Sequence, residues 1–160
     1  MKSLASKVFM STAAAAAALA FAQPVWADPA VPATGSFFFI SAPTTTVLHA
    51  SEGNMLVRLD FPAAVLTGGI SGRFSESLLI RTHPTGEQNV SGLAICACTV
   101  GGKSGTLFFD FVGRATAGGA SEAHFVLSGE GGLADLHGTG TAAVSPAFVG
   151  TYDAEYHFAR

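Results

Sequence analysis

One carboxylate in this 160-residue chain is spaced for chemistry rather than for solubility. In Phe74-Ser75-Glu76-Ser77-Leu78, strict alternation puts Glu76 on the face of Phe74 and Leu78, with the two serines opposite. A carboxylate on an apolar, inward face must find a partner or keep its proton, because burying the bare charge is costly. At the lumen of a barrel such a group is a general acid or base, or an anchor for a ligand, and Tyr152 and Tyr156 are its candidate companions. Phe74, Glu76, Leu78, Tyr152 and Tyr156 are therefore the candidate ligand-binding set, with Glu76 as the candidate catalytic group. A register slip turning Glu76 to solvent, or a structural hydrogen bond to a tyrosine, accounts for the same pattern without function.

Other chemistry is thin. Cys96 and Cys98 lie two apart on an apolar stretch. Ideal strand geometry separates such Cα atoms by roughly 6.6 Å, near the upper limit for a disulfide. Two buried free thiols are the first expectation, and a strained redox pair or a soft-metal site is the alternative. The histidines His49, His83, His124, His137 and His157 have no metal-ligand spacing, so no metal site is expected. Gly129-Glu130-Gly131 neither follows a βαβ pattern nor opens a helix, which removes the dinucleotide reading, and no cofactor is expected.

The elements that must position Glu76 read as strands separated by turn chemistry, with no sustained helical periodicity. They cover 34–40, 44–50, 54–66, 70–81, 90–100, 106–113, 121–127, 139–144 and 148–158. Pro62 marks a bulge or edge position within the third of these. Gly101-Gly102-Lys103-Ser104-Gly105 reads as a hairpin loop. The stretch 128–141 is too rich in glycine for a regular strand, and reads as a tight corner plugged into the core by Leu133 and Leu136. Strands with one apolar face each, joined by short turns, fit a closed antiparallel barrel of about eight strands or a sandwich.

The amino terminus reads as a targeting segment. Lys2 and Lys7 precede an apolar run over 8–22, and small-residue cleavage patterns end at Ala22 and Ala27. This is the layout of a secretory signal peptide, with cleavage placed after Ala27, and an amino-terminal anchor helix is the alternative. The expected organisation is a signal peptide over 1–27, a flexible proline-rich lead-in over 28–33 and one barrel domain over 34–160. The expected location is secreted or periplasmic, with no membrane span in the mature form. The formal charge of −3 grows more negative once Lys2 and Lys7 are removed, which argues against nucleic acid and anionic membranes. Charged residues make up 12% of the chain against about 25% in typical domains, so the strands are unusually apolar.

Three segments together resemble a known family. Gly101-Gly102-Lys103-Ser104-Gly105-Thr106-Leu107, the glycine-rich corner with Leu133 and Leu136, and Tyr152-Asp153-Ala154-Glu155-Tyr156-His157-Phe158 are similar to a bacterial family of unknown function. The resemblance spans roughly residues 34–158 and implies an allene oxide cyclase-like barrel, shared in outline by dirigent proteins. It carries no activity across, because no position maps onto a cyclase or dirigent catalytic residue.

The expected function is binding of a small lipophilic molecule in the lumen. An isomerase or cyclase using that lumen, and a structural or interaction protein of the cell envelope, are the alternatives. Phe108 shares a face with Asp110, and the strand bearing Cys96 and Cys98 is apolar on both faces, so both faces need cover. The resemblance to cyclase-type barrels, which pack side by side, implies a homo-oligomer, with a trimer as one form.

Overall fold

The computed structural model describes residues 29–116 and 118–159, so the signal-peptide pattern lies outside the described residues. These residues form nine strands and no helix: β1 (Val31–Phe39), β2 (Thr44–Ser51), β3 (Asn54–Gly68), β4 (Ile70–Thr82), β5 (Gln88–Val100), β6 (Lys103–Ala115), β7 (Ser121–Gly131), β8 (Leu136–Val144) and β9 (Val149–Phe158). From β3 to β9 each strand pairs antiparallel with the next, and β1 lies between β9 and β3. That closes an eight-stranded barrel, with β2 added beside the first half of β3. Closure satisfies the ladder on both sides of β1, which an open sheet of such apolar strands would leave exposed.

Several expected boundaries move outward because ladder pairing continues where side-chain pattern stops. Val31, Pro32 and Ala33 are not part of a flexible lead-in: they pair with Tyr156, Glu155 and Ala154 of β9. The β5–β6 turn is confined to Gly101 and Gly102, both at positive φ, as a two-residue hairpin turn requires. The glycine-rich corner is also narrower than expected. Its first residues continue β7 through Gly131, and β8 already starts at Leu136.

The corner itself explains its glycines. A Cβ on Gly129 would meet the Leu133 backbone, and one on Gly105 would lie 2.7 Å from the Leu133 nitrogen. Without those Cβ atoms the turn folds over the barrel end and drives Leu133 and Leu136 inside, where both are fully buried. They pack with Ile70, Val100, Leu107 and Leu127 into the solid half of the core.

A bulge lies in β3. Phe61 pairs with Glu76 and Ala64 with Phe74, so Pro62 and Ala63 face a single residue of β4. The extra residue shifts the inward phase, and both Phe61 and Ala64 are buried. Proline is tolerated there because the ladder is already interrupted.

Cys96 and Cys98 correct the first expectation of free thiols: their sulfurs are joined in a disulfide. Both side chains point inward from β5, and the local strand brings their Cα atoms to 5.3 Å, inside the range a disulfide spans.

Candidate functional site

β4 runs through the barrel wall with Ile70, Phe74 and Leu78 buried and Ser71, Arg73, Ser75 and Ser77 exposed, so its alternation is real and the half-buried Glu76 points inward. The β3 bulge beside it keeps the neighbouring inward positions in step. Glu76 is flanked by Phe61 on β3 and Ala94 on β5, with Phe74 and Leu78 before and after it on its own strand. It faces a cavity of about 250 Å³ in the half of the barrel opposite the corner. The cavity wall includes Phe74, Leu78, Phe109, Phe125 and the ring of Tyr152. Near its mouth stand Gln88, Ser121, Glu122 and the half-exposed Phe148.

The cavity exists because aromatic rings lie against the wall. Phe111 is paired directly with Gly92, Phe125 with Gly140, and Phe37 with Gly150. In each pair a Cβ on the glycine would run into the ring, at 2.7 Å for Gly92 and Phe111. A ring resting on a bare backbone covers that backbone and stays off the barrel axis. Edge-on contacts then lock the neighbours, as between Phe37 and Phe74 at 6.1 Å and Phe109 and Phe125 at 5.5 Å between centroids.

Two carboxylates close together on this wall show what facing sets. Asp60, on the outer side of β3, accepts the Ser77 hydroxyl at 2.7 Å and the Arg58 guanidinium at 2.8 Å. Those bonds, Ser77 first, hold its carboxyl below the usual carboxylate range. Glu76 faces inward, and burial alone pushes its pKa from 4.5 up to about 7. Among the described residues nothing pairs with it to oppose that rise.

The expected companions divide. Tyr152 brings its ring to the cavity, but its hydroxyl turns to the β3–β4 connection. It accepts the Ile70 N–H at 2.8 Å and donates to the Ile70 carbonyl at 2.9 Å, with the Thr67 carbonyl at 3.2 Å in reach of the same proton. Burial raises its pKa further, so the hydroxyl stays protonated. Tyr152 is thus a clamp on the wall and no partner for Glu76. Tyr156 is a plain correction: it shares the inward face but sits at the solid end, edge-on to Phe158 at 6.0 Å and close to the Gly101 turn. Phe74, Glu76, Leu78 and Tyr152 are brought together, and Tyr156 is not.

Sequence reasoning missed Phe37, Phe61, Phe109 and Phe125 as wall residues. Their signal was available in principle, since each strand's alternation and turn length fix which residue lies opposite which. Among the described residues, no three histidine, cysteine or acidic side chains gather as a metal site, and no helix is long and apolar enough to cross a membrane.

Comparison with known proteins places this geometry. A family described as a protein of unknown function (DUF3224) matches residues 33–156. The crystal structure of a protein with unknown function from the DUF3224 family of Shewanella oneidensis MR-1 has a TM-score of 0.63 to this chain at 19% identity. The match covers 82% of this chain and 98% of that one, and it is a likeness of fold. No curated protein matches.

Proposed function

Since the chain belongs to the DUF3224 family, whose description assigns no activity, we propose a function from the cavity: the barrel binds a small lipophilic ligand in its hollow half. One observation carries this reading. The space of about 250 Å³ is walled by aromatic and aliphatic side chains and, among the described residues, has Glu76 as the carboxylate that faces inward from its wall. Pockets for small molecules are mostly apolar with a few placed polar groups, which is this composition. The expectation of export belongs to the same proposal, and fractionation then finds mature protein starting near Asp28 outside the cytoplasm.

An isomerase or cyclase in the same lumen would use Glu76, as acid when neutral and as base when ionised. With the Tyr152 hydroxyl held by the Ile70 backbone, no second proton-transfer group stands beside it among the described residues, and binding is the better reading. A purely structural barrel accounts for the solid half and leaves the hollow half without a purpose.

The test is uptake of the neutral fluorophore N-phenyl-1-naphthylamine, together with native mass spectrometry of protein purified from its own compartment. Ala142, which lines the cavity between Ala123 and Tyr152, is changed to Phe to fill the space. Saturable uptake by the wild-type protein and loss in a folded Ala142→Phe protein is the expected result. Equal uptake by both proteins removes the lumen from the account.

A further inference from the structure

We infer that the ligand of the hollow half is a lipophilic amine: a compact hydrocarbon or aromatic body carrying one ammonium group, with Glu76 as its counter-ion. The inference rests on the lumen being a binding site and adds the chemistry of what enters it.

The surroundings of Glu76 select the head group. Its direct neighbours are Phe61 on β3 and Ala94 on β5, with Phe74 and Leu78 on its own strand, and none of these carries charge. Across the cavity stand Phe109 on β6, Phe125 on β7 and Tyr152 on β9, and the Tyr152 hydroxyl is bonded to Ile70. Among the described residues, Glu122 is the other charged residue at the cavity, and it lies at the exposed rim. Among the described residues, no lysine, arginine or histidine lines the wall.

An anionic head group would therefore meet a carboxylate with no cation to compensate, inside a poorly hydrated space. A ketone or ester could be held only by the protonated acid. An ammonium group satisfies the carboxylate directly, and the nearby rings of Phe61, Phe74 and Phe109 can offer it their electron-rich faces. Size fits as well. A cavity of about 150 Å³ holds benzene, so one of about 250 Å³ suits a body near the size of naphthalene.

Linkage gives the inference a second signature. In the empty barrel, burial leaves Glu76 protonated up to about pH 7. Seating an ammonium group favours the ionised carboxylate, so binding below that pH expels a proton and amine affinity rises with pH.

The experiment compares 1-naphthylmethylamine, 1-naphthylmethanol and 1-naphthoic acid, three bodies of one shape, as competitors of N-phenyl-1-naphthylamine. At about pH 8 the amine is expected to displace the fluorophore about tenfold more tightly than the alcohol, with the acid weakest. That preference shrinks toward about pH 5 and is lost in Glu76→Gln, whose folding is checked by its melting curve. Calorimetry of the wild-type protein in buffers of different ionisation enthalpy reads the expelled proton without any variant. If the alcohol or the acid binds at least as tightly as the amine, the amine inference is overturned while the binding lumen stands. If the fluorophore does not bind at all, the binding lumen fails and the inference fails with it.

Discussion

The two halves of this barrel are made by the same strands and both depend on glycine, yet one is solid and the other hollow. At the solid end Gly105 and Gly129 leave room for backbone, and the β7–β8 corner uses it to bring Leu133 and Leu136 over the barrel mouth. At the hollow end Gly92, Gly140 and Gly150 leave room for rings, and Phe111, Phe125 and Phe37 use it to lie back from the axis. A missing Cβ fills one half and empties the other. What decides is the element opposite: a turn free to fold inward, or an aromatic ring tied to its own strand.

Breaking the solid end has the largest effect. Leu127 is fully buried there, and Leu127→Ala leaves a cavity its neighbours cannot close, at about 3–4 kcal/mol in denaturant unfolding. A loss below about 1 kcal/mol would mean that this end is as loosely packed as the other.

The hollow end answers to pH. Glu76 has its folded pKa raised from 4.5 to about 7, so its neutral form favours the folded state. The stability this contributes is present below about pH 4.5, declines as pH rises and is gone above about 7. At one pKa unit per 1.36 kcal/mol the decline is at most about 3 kcal/mol, and less if water enters the cavity. Glu76→Gln flattens that part of the stability–pH profile. An unchanged profile would show the carboxylate already solvated or paired.

Gly150→Ala comes next and tests the ring-on-glycine device most directly, because the nearest atoms its new methyl meets all belong to the Phe37 ring. The ring is pushed toward the axis at a cost of about 2 kcal/mol, and uptake of the apolar fluorophore falls. A variant with full stability and full uptake would mean that the ring does not keep the space open.

Tyr152→Phe is milder. It removes the hydroxyl bonded to both polar groups of Ile70 and costs about 1–2 kcal/mol. The pH profile due to Glu76 is expected to stay in place, since the two side chains are not partners. A shifted profile would restore the pairing that the sequence suggests.

The smallest effect is on the outside. Ile95 is exposed on the outer face of β5, and Ile95→Lys changes stability by less than about 0.5 kcal/mol. Sedimentation of the same pair of proteins measures the homo-oligomer proposed from the two-sided apolar pattern, and monomers alone in the wild type count against it.

Alternation made the strands and the inward face of Glu76 legible, since each residue's side of the wall follows from a period of two. Depth along the barrel axis does not follow from that period. This is why the sequence pattern groups Tyr156, inward like Tyr152, with the cavity although it sits at the other end. The hydroxyl of Tyr152 was equally out of reach, because its partner Ile70 is 82 residues away in sequence. The Cys96–Cys98 bridge is hidden from the sequence for a local reason: ideal strand spacing puts the two Cα atoms near the disulfide limit, whereas the real strand holds them at 5.3 Å.

The Tyr152 clamp also bears on how the chain folds. The β3–β9 strands can assemble hairpin by hairpin, each from neighbours in sequence, but β1 is paired on both sides only when β3 and β9 are both in place. The bond from β9 to the Ile70 amide joins distant parts of the chain at that same seam, where Tyr152 is itself paired with Gly35 of β1. Contacts so far apart in sequence carry the largest loop-closure entropy and tend to form late. Protection of the Ile70 amide from hydrogen exchange should therefore lag behind that of the hairpins, timing the step at which a curved sheet becomes a barrel.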